Sequence, residues 1–122
     1  MRELDKEVAE KVMGWSDFWE GEGHLLGHMP QPHIEDDRMP VPHYSSDIAT
    51  AWMVVEKLCS LDWNLVFESY SQGSHKSGDS FDVTFIRPHP SSHNYASATE
   101  RTVSEAICRA GIAAMELHKR FT

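Results

Sequence analysis

FDVTFIRPHPSSHNYASATERTVSEAICRAGIAAMEL, residues 81–117, changes its hydrophobic period partway along, and that change decides the fold class. Over 81–87 apolar and polar residues alternate, which predicts a strand with Phe81, Val83 and Phe85 on its inward face. The prolines of 88–92 end it, and 94–99 reads as a further strand of small residues. From Thr102 the period becomes helical. Thr102 and Glu105 have the spacing of a capping box, in which hydroxyl and carboxylate satisfy two otherwise orphaned amides. Ile107, Cys108, Gly111, Ile112 and Met115, with the intervening alanines, then make a broad apolar face up to Leu117.

Working outward, 63–70 predicts a strand with Trp63, Leu65 and Phe67 on one side, and 71–80 a polar hairpin loop. Residues 46–60 predict a helix capped by Ser45 or Ser46, with Asp47 in its first turn. Its buried face would hold Ile48, Ala51, Trp52, Val55, Leu58 and Cys59. Residues 3–13 predict a short helix carrying Leu4, Val8 and Val12, ended by a left-handed Gly14 and anchored by Trp15, Phe18 and Trp19. Residues 20–43, with four prolines and three glycines, read as one long loop. The expected architecture is α+β in a single domain over 1–122. Its order is α-loop-α-β-β-β-α, with helices covering a small three-stranded antiparallel sheet. So small a sheet leaves edges to cover, which predicts a homo-oligomer.

The 122 residues carry a formal charge of −8. All of it lies in 1–62, with thirteen Asp/Glu against five Lys/Arg, while 63–122 hold six of each. Coating a nucleic-acid polymer needs clustered cations that this chain lacks. No apolar run approaches the ~18 residues of a membrane span, and 1–20 is too acidic for a targeting peptide. Two cysteines outside any CxxC pattern fit a reducing compartment, and both fall on predicted apolar helix faces as core thiols.

The sequence offers three kinds of candidate chemistry. His43-Tyr44-Ser45 and His89-Pro90-Ser91 form two His-x-Ser triplets, which in two-histidine phosphoesterases supply acid and base. Here both sit beside prolines, and Ser45 is more simply a cap. His24, His28, His33 and Glu35-Asp36-Asp37 crowd metal donors into one segment. Histidines at i and i+4 share an ion only on a helix, and 20–43 does not read as one, so no metal is expected. Nucleotide-binding glycine loops are absent, and no cofactor is expected. What remains is an anion site at the start of the last helix. Its amides lie beside the Thr102 and Ser104 hydroxyls and Arg101, with Arg109 two turns on and Lys57 among the few other cations. Trp52, Trp63, Phe85 and Tyr95 are the candidate stacking rings.

LDKEVAEKVMGW (4–15), VPHYSSDIATAWMVVEKL (41–58) and SEAICRAGIAAM (104–115) together resemble the phage ABA-sandwich domain family. The chain departs from that pattern at Val103-Ser104 and in the His/Pro-rich 20–43 segment. It is also similar to the Thoeris anti-defence sponges of that family. The resemblance implies a non-enzymatic phage protein, working in the bacterial host cytoplasm, that sequesters a cyclic ADP-ribose isomer or cyclic oligonucleotide as a homo-oligomer. It further implies that Arg109 and Lys57 hold phosphates, Phe85 stacks on adenine and Asn94 reaches ribose or phosphate. A phosphoesterase using His43 and His89, or a structural or protein-interaction domain, is the alternative.

Overall fold

The structure is a computed structural model that describes residues 2–30, 38–70, 80–88 and 93–120. It is α+β, with three helices and two three-stranded antiparallel sheets. The first helix, α1 (Glu3–Lys11), buries Val8 and Ala9, and Gly14 turns the chain at φ +81°.

The largest departure from expectation falls within 20–43, which is not one loop. Strands β1 (Ser16–Gly21) and β2 (His24–His28) pair as a hairpin, and β3 (Met39–Pro40) adds to the far edge of β2. Glu22 and Gly23 connect β1 and β2 with φ of +52° and +79°, the two positive angles that a tight type I′ turn requires. Two features hid this hairpin. Its strands are rich in Gly, Glu and His rather than β-branched residues. A register shift between Ser16 and Trp19, where Asp17 has φ +54°, also breaks the alternation. Residues 31–37 of the expected loop, with His33 and the Glu35–Asp37 acids, lie outside the described residues.

Helix α2 (Ile48–Cys59) is present, but its cap and its buried face both differ from expectation. Asp47, not Ser45 or Ser46, is the cap, accepting from Ala49 N at 3.1 Å and from Thr50 Oγ1 at 2.8 Å. The buried residues are Ala51, Val54, Val55 and Leu58, while Ile48, Trp52 and Cys59 are exposed. The helix is apolar almost all round, so periodicity does not choose which side faces inward.

The second sheet follows, with β4 (Asn64–Tyr70), β5 (Ser80–Pro88) and β6 (His93–Glu100) in that order. Residues 71–79, the body of the expected polar loop, lie outside the described residues. Directly paired residues in an antiparallel ladder share a face. Leu65, Phe85 and Ala96 therefore lie on one side, as do Phe67, Val83 and Ala98. Val83 and Phe85 are fully buried on that side, as the alternation predicts. The opposite side presents Val66, Ile86 and Tyr95.

The last helix, α3 (Val103–Arg120), organises the core: it packs on β5 and β6 and also against α1 and α2. Half of its capping box forms: Glu105 N donates to Thr102 Oγ1 at 3.2 Å, while the Glu105 carboxylate accepts from that hydroxyl at 3.4 Å rather than from the Thr102 amide. Ala106, Ile107, Cys108, Ala110, Gly111, Ala114 and Met115 are buried, because small residues let neighbouring elements approach on several sides.

A buried carboxylate fastens the start of α1. Asp5 accepts from Arg2 Nε at 3.0 Å and from the backbone amide of Ser45 at 2.7 Å. Arg2 also donates to the carbonyl oxygens of Val41 and Pro42. The turn leading into α2 is thereby held against α1, which shapes one wall of the site described next.

Candidate functional site

The start of α3, the start of α1 and the Ser45-Ser46 turn enclose a pocket of about 580 Å³, within the range of small-molecule sites. Arg109 stands on its wall, on the second turn of α3, with a half-exposed side chain. Its Nε lies 3.2 Å from Glu100 Oε2, so the guanidinium already has one carboxylate partner. The other lining residues include Glu3, Glu7, Glu105 and the two serines. The pocket is acidic. A bare anion would meet more carboxylate than cation there, and would compete with Glu100 for the Arg109 guanidinium.

Glu100 also connects Arg109 to an aromatic surface. Across β5 and β6 it is the direct partner of Phe81, so both side chains lie on the helix-covered face. The Phe81 ring stacks on Phe67, with centroids 6.2 Å apart and planes 11° from parallel. Phe67 is 47% exposed, because β4 is an edge strand that extends beyond the helix layer. Arg109, Glu100, Phe81 and Phe67 therefore form a continuous run from guanidinium to exposed ring.

The six residues expected to bind ligand are divided among different places. Arg101 and Thr102 lie exposed at the start of α3, beside the Arg109 pocket. Thr102 spends its hydroxyl on the cap. Lys57 lines a separate groove against α1 and β3. Phe85 is fully buried beneath α3, which corrects the stacking role assigned to it: strand alternation puts it inward, and the helix then covers it. Asn94 lies on β6, opposite Arg87, with its side chain outside the description. Among the other proposed stacking rings, Trp63 is buried, whereas Trp52 and Tyr95 are exposed on different elements. Phe67 and Phe81 form a ring pair that reasoning from the sequence did not single out. Their signal was alternation, which predicts burial and cannot show where a helix layer ends.

The remaining constellations resolve as follows. His24 and His28 lie on β2, four residues apart on a strand, a separation of about 13 Å that no single ion bridges. His28 Nε2 instead lies 3.2 Å from Asp17 Oδ2. Among the described residues no cluster of metal-donating side chains occurs. His43 is exposed before α2, and His89 to Ser91 lie outside the described residues. Cys59 is exposed, contrary to its expected place in the core, while Cys108 is buried as expected. Burial pushes the Cys108 thiol up to about 12, and Asp5 and Glu105 add to the shift. Tyr44 is likewise pushed up to about 12, chiefly by burial. Both stay protonated at neutral pH. Among the described residues no helix is long and apolar enough to cross a membrane.

Three helices and two small antiparallel sheets, with an acidic pocket at the start of the central helix, define a compact α+β class rather than a nucleotide-loop fold. The profile of the phage ABA sandwich domain matches residues 6–112, and the chain belongs to that family. Comparison with curated proteins gives no match.

Proposed function

We propose that this phage-family protein binds a small cyclic nucleotide immune signal, a cyclic ADP-ribose isomer or a cyclic oligonucleotide, and sequesters it without cleavage. In this reading it acts as an anti-defence sponge, a homo-oligomer in the cytoplasm of the infected bacterium. The observation that carries the reading is the run Arg109, Glu100, Phe81, Phe67 beside a nucleotide-sized pocket. A guanidinium fork suits a phosphate, and an exposed Phe67 ring backed by Phe81 suits a purine. Glu100 acts as a placeholder that an incoming phosphate displaces. The acidic walls explain why one chain under-supplies the positive charge. A second copy supplies the balance while covering exposed Ile48, Trp52 and Phe67.

The test is incubation of the purified protein with cyclic ADP-ribose isomers and cyclic di- and trinucleotides, followed by heating and analysis of the released ligand. Intact ligand in stoichiometric amount is the expected result. Recovery of cleaved ligand would point instead to hydrolysis by His43 and His89. Failure of the whole panel to bind would leave a structural or protein-interaction domain.

A further inference from the structure

A second concavity, of about 420 Å³, lies between the end of α1, strand β3 and helix α2. Met13, Met29, Met39 and Met53 line it, four of the six methionines in the chain, and the largely buried Trp15 lies among them. Met39 and Met53 are 46% and 42% exposed. Unbranched thioethers adapt to the shape of an apolar guest and recur at binding surfaces of this kind. Among the described residues Lys57 is the one charged residue of the lining, and it makes no ion pair with another of them. Among the described residues no carboxylate lines the groove, and the described lining comes wholly from 1–62.

We propose that this groove binds an amphipathic monocarboxylate, with its apolar body against the methionines and its carboxylate on the Lys57 ammonium. The charge match decides the class. One cation in an apolar wall suits a single negative charge attached to hydrocarbon, whereas a phosphate dianion would lack a second cation and would leave the thioethers unused. The groove shares no lining residue with the Arg109 pocket, so this proposal does not rest on the nucleotide reading.

The full chain would be titrated with decanoate, decanol and inorganic phosphate, followed by calorimetry and by methyl resonances of labelled methionine. Decanoate should bind once per chain and move the Met13, Met29, Met39 and Met53 methyls, leaving the core Met115 methyl in place. Lys57→Gln, at a partly exposed position on α2, should weaken decanoate at least about tenfold, the value of one charge-assisted hydrogen bond. The same change should leave decanol unaffected, and Met53→Asp should weaken both. Arg109→Ala should leave decanoate binding intact, whatever it does to nucleotides. Equal decanoate affinity in wild type and Lys57→Gln would overturn the proposal. So would phosphate binding as tightly as decanoate, or decanoate bound without movement of the groove methyls.

Discussion

Gly111 of α3 and Val54 of α2 approach so closely that a Cβ on Gly111 would lie 2.6 Å from Val54 Cγ1 and 3.4 Å from Leu58 Cδ1. Val54 is β-branched and fully buried, so it cannot swing aside. On an exposed helix Gly→Ala would gain about 1 kcal/mol from propensity. Here overpacking wins, and Gly111→Ala should destabilise the protein by about 1–3 kcal/mol. Urea unfolding measures this, and Val54→Ala in the same chain should restore part of the loss.

The Asp5 carboxylate is buried and serves two donors from different segments. Asp5→Ala strands the Ser45 amide and removes the acid from Arg2, an expected loss of about 3–5 kcal/mol. Arg2→Ala should also destabilise, and the double variant should cost less than the sum. Thermal melts of the full cycle check the coupling.

At the candidate site, Arg109→Ala should abolish nucleotide binding with the fold and oligomer retained. Glu100→Gln should tighten binding, because it frees the guanidinium without a change in side-chain shape. Phe67→Ala should weaken binding with little effect on stability. Phe85→Ala should cost about 3–5 kcal/mol of stability instead, as a core cavity does. Calorimetric titration beside chemical unfolding separates the two kinds of effect.

The thiols should differ in reactivity and in pH response. Cys59 should react quickly with a disulfide reagent at pH 8, and Cys108 only after denaturation. Cys108 and Tyr44 have folded values of about 12, above the ordinary 9.0 and 10.0. The folded state therefore holds protons that the unfolded chain has released. Their contribution is complete below about pH 9 and is lost as the pH rises toward 12. Unfolding midpoints measured from pH 8 to 11.5 should fall along that range.

Glu22 holds a left-handed φ of +52° in the β1–β2 turn, where glutamate has no intrinsic preference. Glu22→Asn should stabilise the hairpin by a few tenths to about 1 kcal/mol, since asparagine tolerates that conformation. An increased urea midpoint with an unchanged slope is the expected result.

The strand alternation of Phe81, Val83 and Phe85, the Thr102–Glu105 box and the small-residue face of α3 were legible because each rests on local geometry. Period, capping distance and side-chain volume belong to short segments. The β1–β2 hairpin was not legible, since its turn lacks Asn or Asp and its bulge breaks the alternation. The inward side of α2 was hidden for a different reason. Both of its sides are apolar, and only Gly111 on another helix gives Val54 room to be the buried one.

The sequence by itself thus determined an α+β chain, the central helix with its cap, the second sheet and the family to which they belong. Tertiary structure decided which apolar residues are walls and which are surface. It buried Phe85, left Phe67 at an overhanging edge, gave Arg109 to Glu100 and moved Lys57 to a separate groove. Burial depends on which element covers a side chain, and an ion pair depends on which distant group arrives beside it. Neither is a property of local spacing.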